Sequence, residues 1–166
     1  GPIVQSPTSR VQRRESSVAS PASRVQRPTS SGIGHAFVRG MKAKKLEDLL
    51  VYQKALQGVV EVSALLERPA FGRNFELKDQ LSESSGGIPG HIAEGYGQLT
   101  DRHFARYLGI ARGSAKETCG HLAVALSKNC IAKEEFIHVA GLYEDLAAML
   151  TSFIAYLRRS NYNDRW

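Results

Sequence analysis

The chain contains little that would fix it by disulfides or hold it in a membrane. It has only two cysteines, Cys119 and Cys130, which we expect to remain reduced thiols. No stretch approaches the roughly 18 consecutive apolar residues that a membrane-spanning helix needs. We therefore expect a cytoplasmic protein without a membrane partner. Alternation of apolar and polar residues is also missing, which argues against strands.

The excess of positive charge lies in the first 40 residues. The formal net charge is +6, yet residues 1–40 hold six arginines against one acid, Glu15. Residues 41–166 hold sixteen basic and fifteen acidic side chains. A basic surface on the folded part must therefore arise from asymmetric placement of nearly balanced charges.

Residues 1–40 form a Ser-, Arg- and Pro-rich tail whose composition favours disorder. Residues 6–13 (SPTSRVQR) recur as residues 20–27 (SPASRVQR), but two copies are too few for a solenoid. The tail also resembles a transit peptide. The Gly-Pro start and the absence of Met before Met41 instead predict a remnant of recombinant expression or an upstream extension. The folded domain is then 41–166.

Residues 41–166 predict four helices and no strand. Apolar spacing and cap residues place these helices at about 44–68, from Asn74 onward, from Thr100 to Asn129, and at 133–159. The predicted fold is an all-α, antiparallel up-down four-helix bundle with short loops. The first helix would bury one stripe, formed by Leu49, Tyr52, Leu56, Val59, Val60 and Ser63 and widened by Leu46, Val62, Leu65 and Leu66.

The last two helices carry the clearest patterns. Two interleaved seven-residue series in the fourth helix predict a coiled-coil seam. Its members are Val139, Leu146 and Phe153, together with Phe136, Tyr143, Leu150 and Leu157. Small residues on the third helix would let a neighbouring helix approach closely. They are Gly109, Gly113, Ser114 and Gly120.

Residues 86–97 (GGIPGHIAEGYG) combine a helical apolar spacing with five glycines and Pro89. Proline removes a backbone donor, so the second helix should kink or break near Ser85. A catalytic loop would have a similar composition. The alternatives are therefore a packing element and an active site.

Two pairs of side chains are candidates for chemistry. His91 and Glu94 lie in this glycine-rich stretch, and Glu135 and His138 have the Glu-x-x-His spacing of carboxylate-bridged metal sites. Such a metal site needs a second copy, which the chain lacks. Neither a nucleophile elbow nor a phosphate-binding loop is recognisable. We expect no enzymatic activity, cofactor or metal, with a small metal-dependent or hydrolytic enzyme as an alternative.

Basic side chains near the predicted helix ends are candidate nucleic-acid contacts. They are Lys42, Lys44, Lys45, Arg102, Arg106, Arg112, Arg158 and Arg159. Such residues often only complement helix dipoles in solvent. Oligomerisation could instead gather them into a phosphate-binding surface.

Three ordered segments carry a resemblance to a known family. They are residues 46–55 (LEDLLVYQKA), 88–97 (IPGHIAEGYG) and 104–117 (FARYLGIARGSAKE). Residues 46–160 resemble small bacterial four-helix bundle proteins encoded in intervening sequences of 23S ribosomal RNA genes. The second segment is similar to the family's Ile-Pro-x-Asn-Ile-Ala-Glu-Gly motif, with His91 in place of Asn. The matching positions would be structural: Ile88, Pro89, Ile92, Ala93, Glu94, Gly95, Gly113, Ser114 and Glu117.

The resemblance implies a ring-like homopentamer without known enzymatic activity. Related accessory variability determinant proteins of diversity-generating retroelements imply binding to a reverse transcriptase and to nucleic acid. The leading hypothesis is a non-enzymatic oligomeric scaffold that associates with RNA, DNA or a nucleic-acid enzyme. The retroelement accessory subunit is the alternative.

Overall fold

The computed structural model describes Gly1 and residues 44–163, with side chains described through Arg159. The predicted tail therefore lies, Gly1 apart, outside the described residues. Four α-helices follow one another: α1 Leu50–Leu66, α2 Phe75–Tyr96, α3 Asp101–Ser127 and α4 Lys133–Asn163. Short 3₁₀ turns, Leu46–Asp48 and Pro69–Arg73, precede α1 and α2. Residues 44–163 contain no strand, so the all-α prediction is confirmed.

The ends of α3 follow the predicted cap chemistry. The Thr100 side chain accepts a hydrogen bond from the His103 backbone N–H at 3.3 Å, which satisfies a donor that the first turn leaves open. At the other end Asn129 has a φ of 55°. The Cys130 N–H donates to the Ala125 carbonyl and the Asn129 N–H to the Leu126 carbonyl. This is a Schellman termination, and asparagine tolerates the left-handed conformation that it requires.

The helices α2 and α4 begin differently. Asn74 is the N-cap of α2, but its side chain makes no cap hydrogen bond. Its amide donates to the Ala70 carbonyl at 3.0 Å and lies 3.5 Å from Cys130 Sγ, so it joins two loops. Glu135 reaches back to the Ala132 N–H at 2.8 Å, as in half of a capping box.

Each helix packs against its neighbours in the chain, and α4 also closes against α1. The two remaining pairs, α1 with α3 and α2 with α4, are the diagonals. This is the up-down arrangement that short connections favour. None of the helices within residues 44–163 is long and apolar enough to cross a lipid bilayer.

The heptad seam predicted for α4 lies in the core. Its members are almost completely inaccessible, apart from the half-buried Phe136. They are Val139, Tyr143, Leu146, Leu150, Phe153 and Leu157. The inner side of α3 is also buried, from Phe104 to Ala125.

The apolar stripe predicted for α1 is confirmed at Leu49, Val62, Leu65 and Leu66, which are buried, and wrong at its centre. The helix begins at Leu50 rather than near residue 44, and Leu56 and Val60 are 44% and 67% exposed. The buried face instead contains Ala55 and Gly58, with larger side chains on either side. The helix turns Gly58 toward α4, where the missing side chain leaves room for the Tyr143 ring.

The helix α2 runs without a break through Pro89. The break predicted near Ser85 is therefore absent, since neighbouring turns keep their hydrogen bonds around the one missing donor. A bend without a break stays a prediction.

Candidate nucleic-acid interface

Six of the predicted basic side chains belong to one end of the bundle, which we call the basic end. They are Lys44, Lys45, Arg102, Arg106, Arg158 and Arg159, and all are exposed. They gather because α1 and α3 start where α2 and α4 finish. Lys42 lies outside the described residues.

Ring contacts fix this end of the bundle. The Phe104 ring lies 6.2 Å from Tyr96 and 5.2 Å from Phe153, both edge-on. Phe153 in turn lies 6.5 Å from Tyr156. The end of α2, the start of α3 and the last turns of α4 therefore meet at a shared aromatic cluster.

The six basic side chains form no ion pair with another described residue. The lysine and arginine ion pairs of the described chain lie elsewhere, namely Lys54–Asp145, Arg68–Glu135 and Lys116–Glu144. Four carboxylates share the basic end: Glu47, Asp48, Glu94 and Asp101. Counted over the described side chains alone, the end has an excess of two positive charges before its histidines are included.

Arg112 does not belong to this group. Its guanidinium donates to Thr151 Oγ1 at 3.4 Å, in the groove between α3 and α4. It lies more than two turns from Arg102 along α3. The structure thus separates one predicted contact from the others.

The glycine-rich stretch is a packing element in its buried half. Ile88 and Ile92 are fully buried. A Cβ on Gly95 would lie 2.7 Å from Phe104 Cδ2 and 2.8 Å from Tyr107 Cβ, so only glycine lets α2 approach α3 this closely. Pro89 and Ala93 are half-buried.

In the third-helix motif, Gly113 and Glu117 are exposed and Ser114 is half-buried. A Cβ on Gly113 would meet nothing within 4 Å, and the same holds for Gly109 and Gly120. The close approach of a neighbouring helix predicted for these positions is therefore not made by any of the described helices. The Ser114 carbonyl accepts a hydrogen bond from the Thr118 hydroxyl at 2.9 Å, which also lies 3.1 Å from Ser84 Oγ across to α2. Glu117 is exposed, 3.7 Å from His121 Nε2.

Of the two candidate chemical pairs, Glu135 and His138 contact other residues, and His91 and Glu94 include an exposed carboxylate. Glu135 pairs with Arg68 and caps α4, while His138 Nε2 lies 3.7 Å from Glu61 Oε2. They thus bridge to α1 rather than face each other. His91 Nδ1 lies 3.8 Å from Glu94 Oε2, and that carboxylate is 61% exposed. Among residues 44–159, no cluster of three or more His, Cys, Asp or Glu side chains is suited to a metal ion.

Burial affects two titratable groups in the core. Desolvation raises the pKa of the Cys119 thiol to about 11, and the nearby Glu144 adds to this. Both cysteines are free thiols. Desolvation also raises the pKa of Tyr143, although the Ser85 hydroxyl partly offsets the effect. Neither group lies at the basic end.

Sequence reasoning missed the exposed apolar positions. Leu56 and Val60 lie on the outer side of α1. No basic side chain is exposed in the middle turns of this helix. Ile110 and Val124, both 41% exposed, flank Gly113 and Gly120 on α3. The sequence did indicate a common face on α3, because these positions recur at three- and four-residue spacing.

These features define an antiparallel four-helix bundle with one basic end and two exposed apolar helix faces. The family model for the 23S rRNA-intervening sequence protein matches residues 47–152. The chain belongs to this family, which confirms the resemblance drawn from the three motifs.

A crystal structure of similar fold is that of a protein of unknown function from the S23 ribosomal protein family of Bacteroides thetaiotaomicron. The TM-score is 0.58 and the identity 21%, over 63% of this chain and 98% of that one. At that identity the likeness supports the fold alone. The comparison with curated proteins gave no match.

Proposed function

We propose that the chain is a non-enzymatic, oligomeric helical-bundle scaffold that binds RNA. The observation that carries this proposal is the basic end, where six exposed cations have no ion-pair partner among the described residues. Exposed cations without an ion-pair partner can contact phosphates directly. Each such contact releases counterions from the nucleic acid, which favours binding.

The scaffold is a homo-oligomer that uses two faces of each protomer. The α1 face consists of Leu56 and Val60 with the uncharged Gln53, Ser63 and Ala64 beside them. The α3 face consists of Ile110, Gly113, Glu117, Gly120 and Val124. Leu56 and Val60 lie one turn apart on α1, and exposed apolar side chains that lie together are typical of protein contacts. On α3 the exposed glycines between Ile110 and Val124 would let a second helix approach closely.

The two faces lie on diagonal helices and therefore on opposite sides of the protomer. If the α1 face of one copy packs against the α3 face of the next, every contact is heterologous. Heterologous contacts close into a ring or extend as a filament. The family resemblance selects the ring, a homopentamer. A bend at Pro89 would adjust the curvature of α2 within it.

His91, Glu94, Glu135 and His138 have structural roles in this proposal. Glu135 is already held by Arg68 and by the start of α4. His138 and Glu61 form a cross-helix contact, and the exposed Glu94 lies beside His91. An enzyme built on either pair would need a buried or preorganised partner.

The experiment is fluorescence anisotropy of a labelled 23S rRNA fragment against the full chain at several salt concentrations. We expect the logarithm of affinity to fall linearly with the logarithm of salt, as phosphate contacts require. Absence of binding at low salt contradicts the proposal. Capture of a reverse transcriptase together with its template RNA would favour the retroelement accessory role instead.

A further inference from the structure

We infer that a groove between α1 and α4 is the docking site for residues 24–27 (RVQR) of the chain's own tail. We call it the acidic groove. It is lined from α1 by Glu61 and Leu65 and from α4 by Glu134, Glu135, His138 and Val139. This docking is separate from the proposed function, because the groove lies at the opposite end of the bundle from the basic end.

The acidic groove contains carboxylates that the described residues do not neutralise. Three carboxylates line it against one guanidinium, that of Arg68, which pairs with Glu135. Glu134 is exposed and forms no ion pair with another described residue. Glu61 Oε2 lies 3.7 Å from His138 Nε2, which carries a charge only when it is protonated. With a neutral imidazole the groove therefore has an excess of two negative charges.

The floor of the groove is apolar. Leu65 and Val139 form it and are themselves buried, and Ala64 lies beside them. The groove encloses about 380 Å³, which is within the range of natural ligand sites. An apolar floor between acidic walls suits a small apolar side chain that is flanked by two cations.

Residues 24–27 have this pattern, with Val25 between Arg24 and Arg27. The tail to which they belong holds six arginines against one acid, the main excess of positive charge in the chain. Arginine binds carboxylates through paired N–H groups, which makes these ion pairs stronger and more specific than those of lysine.

The two arginines also match the width of the groove. Three residue steps of extended chain span about 10 Å, and packed helices lie about 8–10 Å apart. Arg24 and Arg27 can therefore reach Glu61 on the α1 wall and Glu134 on the α4 wall together.

The connection to the fold is long enough for docking within one copy. Residues 28–43 span at most about 55 Å when fully extended, whereas α1 rises only about 23 Å from Leu50 to Leu65. The same four residues occur at 10–13, on a connection almost twice as long. Effective concentration falls as about the −3/2 power of that length, so residues 24–27 are favoured about two- to threefold.

Limited trypsin digestion of the full chain, followed by mass spectrometry, measures the docking. The bonds after Arg10 and Arg24 have the same flanking residues, Ser-Arg-Val-Gln, and thus serve as matched sites. We expect cleavage after Arg24 to be about two- to threefold slower at low salt. The two rates should become equal in about 1 M salt, where the Debye length is about 3 Å. Equal rates at low salt overturn the inference.

Variants of the groove locate the contact. Glu61→Gln with Glu134→Gln should raise the rate of cleavage after Arg24 to that after Arg10. Asp79→Asn with Glu83→Gln removes two exposed carboxylates of α2 outside the groove and should leave both rates unchanged. Circular dichroism checks that each pair keeps its helices. Equal acceleration by both pairs would mean that general charge, not the groove, protects the tail, and would overturn the docking.

A variant of the tail gives a test that does not alter the bundle helices. Arg27→Gln removes one of the two guanidiniums and should accelerate cleavage after Arg24. Arg39→Gln, outside the repeat, is its control and should have no effect. If neither Arg27→Gln nor the groove pair changes the rate, the groove does not hold this segment.

Discussion

Gly58 of α1 lies directly against the ring of Tyr143 of α4. A Cβ at Gly58 would be 2.8 Å from both Tyr143 Cζ and Oη, closer than van der Waals contact permits. The Tyr143 side chain is completely buried. The absence of one methyl group on α1 therefore gives the largest side chain of the bundle core its space.

Gly58→Ala should destabilise the bundle. Overpacking costs about 1–3 kcal/mol, and the better helix propensity of alanine offsets about 1 kcal/mol of this. We expect a net loss of up to about 2 kcal/mol in the free energy of unfolding by urea. Gly141→Ala is the control, since nothing lies within 4 Å of its added Cβ. Equal stabilisation of both variants would contradict the contact.

Tyr143→Phe should be neutral or stabilising. The Tyr143 hydroxyl is buried without a hydrogen bond of normal geometry to any described residue, although the Ser85 hydroxyl faces it. Removing an unpaired buried polar group can recover about 1 kcal/mol. Urea unfolding measures the change. A loss above about 1 kcal/mol would mean that the hydroxyl is bonded, to Ser85 or to an internal water.

Gly95→Ala and Gly97→Ala separate two glycines of the same motif. At Gly95 the new methyl group would collide with Phe104 and Tyr107, whereas at Gly97 the nearest atom is 3.6 Å away. We expect Gly95→Ala to lower the free energy of unfolding by about 1–3 kcal/mol and Gly97→Ala to leave it nearly unchanged. The thermal midpoints of the two variants measure this, and equal midpoints would argue against a packing role for the motif.

Stability should fall in alkaline solution because of Cys119. The pKa of this thiol is about 11 in the folded state and 9.0 for an ordinary thiol. Between these values the unfolded chain releases the proton and the folded chain retains it, so unfolding becomes more favourable as pH rises. The stabilisation is fully present below pH 9.

Urea midpoints from pH 8 to 11 check this dependence. Cys119→Ala should flatten the decline above pH 9 and run parallel to the unmodified chain below it. A variant that declines as steeply as the unmodified chain would show that the thiol does not retain its proton on folding.

The fold was predictable where large side chains alone form the core. The α4 seam was predictable, because Val139, Leu146 and Phe153 mark a single apolar face on this helix. The α1 face was not, because its buried positions include Ala55 and Gly58, which a hydrophobic pattern discounts. Their burial depends on the Tyr143 ring, which belongs to a helix 85 residues away.

The residues of the candidate site could be predicted from the sequence, but their position together at one end of the bundle could not. Helix-end positions indicated Arg102, Arg106 and Arg158, and the antiparallel register brings them to one end. Sequence spacing predicted Glu135 with His138 as a pair. The structure joins them instead to Arg68 and Glu61, because the partner helix, not the spacing, decides the contacts of an exposed side chain.

The mass of the full chain in solution, by light scattering coupled to size exclusion, tests the assembly of the scaffold most directly. We expect about five times the 18.2 kDa of one chain. Val60→Asp on the α1 face and Ile110→Asp on the α3 face should each give smaller species with an unchanged helical circular dichroism spectrum. Ile137→Asp, at a position of α4 that is 59% exposed and belongs to neither face, should leave the mass unchanged. A monomeric mass for the unmodified chain at every concentration would contradict the account.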